Sequence, residues 1–409
     1  MRIPSSLSVL RNPAFRRLWL AQAVSLVGDW FTLIALGVVV SRASDGSGVA
    51  VAALLLTQLV PTALAGPFAG VLVDRFDRRR LLVASDLIRA GIVLLLIPVV
   101  RAEVLWPVYA LSLVHFTVAT VFEPGRSALV PRLVSGGELV TATTLSSITW
   151  SVMTALGGML GGSVLALVGA PVAFAVDALT FAASAALIGS IAVPDAPTVE
   201  STEAPAGPGL RDGLRYVAGA PATAAVLVVK SIAGLGLVDT FLVIYATRVF
   251  PLGDGGALSL GLLWACFGVG ALLGPALLNV VNDGSVRRMR RLIVFGSVLV
   301  IAGLSLLAHA PSLAVTGVAI VLRGMGGSTN WTYSTVILQK IVPDSLRGRL
   351  FAMDLALLTL TAALGSIVWG FAIDRLGVRP VVQGVAGLCA LAALAWAAAL
   401  RGIERREAS

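Results

Sequence analysis

The sequence is short of charge. Only 12% of its 409 residues are Asp, Glu, Lys or Arg, against roughly 25% in a soluble globular protein. With 57% hydrophobic residues and a mean hydropathy of +0.95, a soluble globular fold is excluded. Cysteine and histidine are nearly absent. Cys266 and Cys389 both lie in apolar runs and read as small core residues, not as a disulfide. His115 and His309 are the only histidines, so no Cys/His cluster is available to hold zinc. The phosphate-cradling pattern G-x-x-x-x-G-K-[ST] does not occur, and no hydrolytic constellation stands out. The expectation is a protein that is not an enzyme and has no cofactor and no metal. Any energy it uses comes from an ion gradient or from a substrate gradient.

What is present is apolar length. A bilayer-spanning helix takes about 20 mostly apolar residues. Runs meeting that rule lie at 15–40, 49–73, 80–100, 104–123, 139–168, 171–193, 221–249, 256–281, 292–310, 312–337, 350–373 and 379–400. The 43 glycines fit tightly packed membrane helices. The first run follows N-terminal arginines as a secretory leader would. It is too long for one, and no small-residue cleavage site follows, so it is expected to stay as a helix.

Net charge is +9. No interleaved aromatic and basic surface suggests nucleic acid. The positive charge instead tracks alternate loops. Of the 30 Lys and Arg, only Arg42, Arg101, Arg248, Arg375 and Arg379 fall on one side of the membrane. Arg89, Lys230 and Arg323 fall inside runs, and the rest fall on the side of the N-terminus. Basic loops stay cytoplasmic, so both termini are expected in the cytoplasm.

A polar linker, 194–220, carries "PDAPTVESTEAPAGPGLRDG" and divides the runs six and six. It is expected to separate a lobe at 1–193 from one at 221–409. The halves resemble each other at a shift of 208. "ALAGPFAGVLV" aligns with "ALLGPALLNVV", so Gly66-Pro67 maps onto Gly274-Pro275. Gly157, Gly162 and Gly169 likewise map onto Gly365, Gly370 and Gly377. Repeated lobes around a site near the bilayer midplane are the layout of a transporter that alternates access.

The stretch "GVLVDRFDRRRLL", 70–82, sets two aspartates and four arginines between apolar runs. It resembles the cytoplasmic signature G-x-L-x-D-R-x-G-R-R/K of the major facilitator superfamily, through Gly70, Leu72, Asp74, Arg75, Arg78 and Arg79. Asp77 replaces the signature's second glycine. With "NPAFRRLWLAQAVSLVGDW", "EPGRSALVPRLV" and "VPDSLRGRLFA", this form is similar to the branch of enterobactin-type siderophore exporters and macrolide efflux proteins. The resemblance implies an all-α polytopic membrane protein with 12 transmembrane helices in two six-helix lobes. It also implies a plasma-membrane transporter, acting as a monomer on a small molecule. The helix-five pattern of exporters, ending G-P-x-x-G-G, is matched by Gly157, Gly158, Gly161 and Gly162, with Gly158 in place of the proline.

Charges inside membrane helices are functional candidates. Gln22, Ser25, Asp29 and Thr32 share one helical face, which suggests a water-filled cavity with Asp29 as a proton carrier. Arg323, Gly327, Asn330 and Ser334 form a second such stripe. Arg323 either meets an anionic group or pairs with an acid. Asp239 is a second proton-carrier candidate, while Lys230 snorkels. Thr144, Ser147, Ser151 and Thr154 line a cavity. Trp150, Trp331 and Trp369 either stack on substrate or pack. Asp177, Thr180 and Ser184 form a stripe read as structural, Asp86 pairs with Arg89, and Asp354 belongs to a gate. Gly70, Asp74, Arg75, Arg78 and Arg79 are read as an inter-lobe latch. In it Asp74 meets the start of a helix near Arg349, and the arginines hold Glu123 or Asp86. The leading expectation is a proton-coupled exporter of a small amphipathic compound. Alternatives are a proton-coupled uptake symporter and a membrane receptor or scaffold without transport.

Overall fold

The computed structural model describes residues 9–102, 104–192, 210–236 and 238–408. No side chain is described for Pro67, Asp74, Gly136, 210–212, Asp344, Ser345 and 403–408. The described chain is helical throughout and has no strand. In order, the helices are α1 Pro13–Ala43, α2 Gly48–Leu64, α3 Gly66–Arg75, α4 Arg78–Arg101, α5 Leu105–Ala119, α6 Phe122–Leu133, α7 Leu139–Val168 and α8 Ala170–Gly189. After them come α9 Leu210–Gly219, α10 Pro221–Leu235, α11 Asp239–Ile244, α12 Ala257–Asn279, α13 Val286–Ala308, α14 Leu313–Ile341, α15 Asp344–Leu376 and α16 Val378–Ala408.

Among the described residues, ten stretches are long and apolar enough to cross a membrane, counting α5 together with α6 and α10 together with α11 and the turn after it. Two of the expected runs fall outside that set. The second breaks at Ala65, leaving α2 only 17 residues long. The tenth is α14, 29 residues long, whose Arg323, Asn330 and other polar groups dilute its apolar character. The seventh run is also broken. α10 ends at Leu235, and α11 restarts at Asp239 and continues as a π-helical turn, Tyr245–Val249. Of the expected linker, α9 is described. Residues 193–209 lie outside the described residues.

The chain separates into two compact units. One contains Met1–Asp195 and Asp239–Gly268; the other contains Ala196–Val238 and Val269–Ser409. In the first, α8 packs along both α1 and α4, and α7 packs along α1. In the second, α13 pairs with α14 and α16, and α10 with α15. Each unit has its own apolar core. One gathers Phe15, Leu18, Leu82, Leu129 and Ile188. The other gathers Leu227, Ile293, Tyr333, Ile337 and Trp396.

The repeat is visible in the helix ends. Asp77 caps α4 by accepting from the Arg80 amide at 2.7 Å. Ser285, its counterpart at a shift of 208, caps α13 by accepting from the Arg288 amide at 3.1 Å. At the other end, Gly169 closes α7 with φ +83° and Gly377 closes α15 with φ +81°. That backbone conformation favours glycine in both halves. The Gly-Pro pairs, by contrast, are not equivalent. Pro67 opens α3 after the break, whereas Pro275 lies inside the continuous α12.

Candidate functional site

Two polar stripes read separately from the sequence face one another inside the first unit. On α1, Gln22, Ser25 and Thr32 are buried. On α8, Asp177 and Ser184 are fully buried. Thr32 donates to Asp177 Oδ2 at 2.5 Å, and Thr180 donates to Asp177 Oδ1 at 3.2 Å. Gly28 makes the approach possible, because a Cβ there would overlap the side chains of Asp177 and Thr180. The α1 stripe therefore faces helices and not a water-filled cavity. A polar stripe in a membrane helix is satisfied either by water or by another polar stripe, and here it meets the second. Asp29 is the exception, with its side chain 35% exposed.

α4 adds Arg89 to this group, 2% exposed. Its guanidinium donates to Asp86 Oδ1 and reaches Asp29 Oδ1 at 3.4 Å and Ser25 Oγ at 3.5 Å. The Phe181 ring lies 4.2 Å from it and the Phe122 ring 5.1 Å. α5 adds His115, 1% exposed, with Nε2 at 4.0 Å from Asp29 Oδ1. The expected Asp86–Arg89 pair is thus present, and it extends to Asp29. The sequence pairs Arg89 only with Asp86, and His115, a lone histidine in an apolar run, reads as either cavity lining or packing. Their signal was the placement of both inside apolar runs, which by itself did not say that they converge on Asp29.

Asp239 opens α11 and borders an apolar cleft. The walls include Leu36, Leu54, Leu55, Phe116 and Trp264, with Gln58 and Thr240 as the other polar contributors. Trp264, one of these walls, also belongs to a set of close helix approaches. Gly157 and Gly161 of α7 lie against Trp30, Phe31 and Ile34 of α1. Gly158 and Gly162 lie against Gly261 and Trp264 of α12. All four glycines of the helix-five pattern serve as contact surface, so the missing proline does not prevent the packing. Trp30 and Trp264 meet with ring centroids 4.7 Å apart. At the adjacent helix ends, Ser41 meets Thr247 at 2.7 Å and Arg42 meets Asp254 at 2.6 Å. Of the α7 stripe, Ser147 is exposed, Ser151 is half-buried and Thr154 is buried.

In the second unit, Lys230 does not snorkel. It is 5% exposed and donates to Asp354 at 2.5 Å, with the Trp331 ring 4.5 Å from its ammonium. A partner carboxylate inside the bundle makes a path to the surface unnecessary. Arg323 is buried and donates to the Gly236 carbonyl at 3.1 Å and the Ala233 carbonyl at 3.5 Å. Trp369 donates to the Leu235 carbonyl at 2.8 Å. These two side chains satisfy the carbonyls left open where α10 ends. Asn330 is buried and donates to Ser297 of α13 at 3.1 Å. Arg323 and Asn330 are therefore buried against neighbouring helices, whereas Trp331 is 50% exposed.

The basic run behaves differently from a set of carboxylate clamps. Arg79 donates to the Ile191 carbonyl at 2.8 Å and Arg78 to the Ala128 carbonyl at 3.3 Å. Arg17 likewise donates to Ser190 at 2.6 Å. Arg79 and Arg17 cap the end of α8, where cations complement the helix dipole. Glu123 is held by Arg126 of its own helix at 2.5 Å, and Asp86 by Arg89. Neither is held by the signature arginines. Arg75 is exposed. A Cβ at Gly70 would meet nothing within 4 Å, so no close helix approach occurs there. The side chain of Asp74 lies outside the described residues.

The sequence profile of the transmembrane secretion effector family matches residues 4–409. The chain is 28% identical to the putative bacilysin exporter BacE of Bacillus amyloliquefaciens, over 87% of this chain and 88% of that one. It is 24% identical to macrolide efflux protein A of Streptococcus pyogenes, over 89% and 90%. Its fold is similar to the crystal structure of a bacterial homologue of the human lysosomal transporter Spinster, inward-facing and occupied. The TM-score is 0.75 at 12% identity, covering 96% of this chain and 97% of that one.

Proposed function

Because the chain belongs to the transmembrane secretion effector family and is a membrane transporter of the major facilitator type, not an enzyme, we propose that it exports a small amphipathic compound in exchange for protons. The compound is a drug, an antibiotic or a siderophore, and the protein works as a monomer in the cell membrane. In this reading 12 helices form two six-helix lobes, 1–193 and 221–409, with both termini cytoplasmic. The lobes rock about a midplane site. Export is supported by the two relatives named as exporter and efflux protein.

Proton coupling rests on one observation. Asp29 is a half-exposed carboxylate on an apolar helix, and it sits at the mouth of a buried ionisable group. A carboxylate at such a boundary can take a proton from one side and pass its charge state to the helices behind it. Asp239, beside the apolar cleft, is the second carrier candidate. Substrate and proton need only prefer opposite conformations for coupling to follow. In that cycle the run from Gly70 to Arg79 acts as the latch on the cytoplasmic side.

The test uses proteoliposomes with an imposed pH gradient and a panel of amphipathic antibiotics and dyes. Antiport takes a compound up only into vesicles with an acidic lumen, and symport only with an alkaline one. Asp29→Asn is expected to abolish the gradient-driven movement while leaving downhill movement. Undiminished gradient-driven uptake by that variant would remove Asp29 from the mechanism.

A further inference from the structure

Three carboxylates and two bases meet in the first unit, drawn from four helices. They are Asp29 of α1, Asp86 and Arg89 of α4, His115 of α5 and Asp177 of α8. Of the other helices packed against these four, α11 adds Asp239, which borders the cleft described above. α7 has no ionisable side chain at all, and on α6 the Glu123 and Arg126 groups pair with each other. Asp86, Arg89, His115 and Asp177 are each at most 2% exposed. With every carboxylate ionised and the imidazole neutral, the group would carry a surplus of two negative charges. A protonated imidazole would still leave one. Uncompensated charge inside a membrane bundle is costly, and groups there neutralise instead. At least one proton is therefore resident.

The contacts say where it sits. Asp86 has the guanidinium of Arg89. Asp29 has the same guanidinium at 3.4 Å and is partly open. Asp177 has neither a cation nor exposure. Its side-chain partners are two hydroxyls, Thr32 and Thr180. Hydroxyls suit a neutral carboxylic acid, because each can donate or accept. A second observation points the same way. His115 Nδ1 and Ser112 Oγ are buried without a hydrogen-bond partner. His115 Nε2 stands 4.0 Å from Asp29, a distance spanned by one water. Buried polar groups without a protein partner are ones that a bridging water satisfies. Asp177 also abuts the residue next to Asp29, since a Cβ on Gly28 would overlap its carboxyl group.

We propose that Asp177 is a proton-binding site, holding a proton at rest and exchanging it with the outside by way of Asp29. In the exchange the O–H bond of Asp177 breaks and one forms on the Asp29 carboxylate, with no redox change. The carboxylate left on Asp177 is held by the Thr32 and Thr180 hydroxyls until a proton returns. Its part in the transport cycle rests on the proton-coupled reading above, but the resident proton does not. Asp177 is thereby moved from a structural stripe to the coupling machinery.

Infrared spectroscopy of the purified protein reads this without any substrate. A protonated carboxylic acid has a C=O stretch distinct from that of a carboxylate, and it shifts when its proton is replaced by deuterium. The wild type is expected to show this band at neutral pH, and Asp177→Asn to lose it. Asn is neutral and similar in shape, so the fold is expected to tolerate it. Thr32→Val keeps the acid and should shift the band by removing a hydrogen bond. Asp29→Asn should keep the band but slow its shift on transfer to heavy water. A wild type without the band, or an undiminished band in Asp177→Asn, would overturn the site. An unshifted band in Thr32→Val would overturn the assignment to Asp177. An unchanged deuterium rate in Asp29→Asn would overturn the route. Absence of gradient-driven transport in the wild type would defeat the proposed function but leave the band unaffected.

Discussion

Replacing Gly162 by alanine tests whether the α7–α12 seam is set by backbone contact. An ideal Cβ at Gly162 would stand 2.6 Å from the Ala257 carbonyl oxygen and 2.8 Å from Gly261 Cα. Both are backbone atoms, so neither can rotate away. Ordinary contact begins near 3.4 Å, so the two helices must part by roughly 0.8 Å, and packed interiors resist such shifts. Overpacking of this kind costs about 1–3 kcal/mol. At 1.4 kcal/mol per factor of ten, that is about a 5–150-fold change in the balance between a closed and an open seam. A cysteine pair reports it. Ser41 of α1 and Thr247 meet at 2.7 Å, and the Thr247 backbone packs on Gly256 just before α12. Ser41→Cys with Thr247→Cys, in a chain whose Cys266 and Cys389 are serine, should cross-link readily. Gly162→Ala is expected to slow that cross-linking several-fold. Gly91→Ala, where a Cβ meets nothing within 4 Å, should not. An unchanged rate in Gly162→Ala would show that the seam tolerates the methyl group, and the reasoning from helix approach would fail.

Three further outcomes are expected, each read as thermal unfolding in detergent. Lys230→Met leaves Asp354 buried beside no cation and should cost about 3–5 kcal/mol, whereas adding Asp354→Leu should restore most of the loss. If the double variant is as unstable as the single one, the pair is not what stabilises α10 against α15. Trp30→Ala removes a ring packed on Trp264 and on Gly157 and should cost about 3–5 kcal/mol; a loss well below that range would mean that the cavity collapses. Asp77→Ala removes the cap of α4 and should cost about 1 kcal/mol; no measurable loss would mean that the Arg80 amide finds another acceptor.

The membrane character and the repeat were legible from the sequence. Span length is a property of local composition, and the repeat is carried by matching residues such as Gly169 and Gly377, whereas the caps at Asp77 and Ser285 were not read from it. Helix breaks were less legible. The turn at Ala65 and the gap after Leu235 fall within unbroken apolar runs, which register length but not direction. Pairings were least legible. Lys230 read as a group on its way to the surface, because nothing local names Asp354, 124 residues away, as its partner.

Sequence alone determined that this chain crosses a membrane through repeated helices, that it resembles a transporter, and which few charged residues lie in apolar surroundings. Only the tertiary structure decided which of those charges meet. The helical period places Gln22, Ser25, Asp29 and Thr32 on one face, but it is silent on whether that face meets water or another helix. Helix-on-helix packing settled it, bringing α8 against α1 through Gly28 and placing Asp177 beside Thr32. A stripe is a local pattern, whereas a partner depends on which surfaces approach closely enough to exclude water.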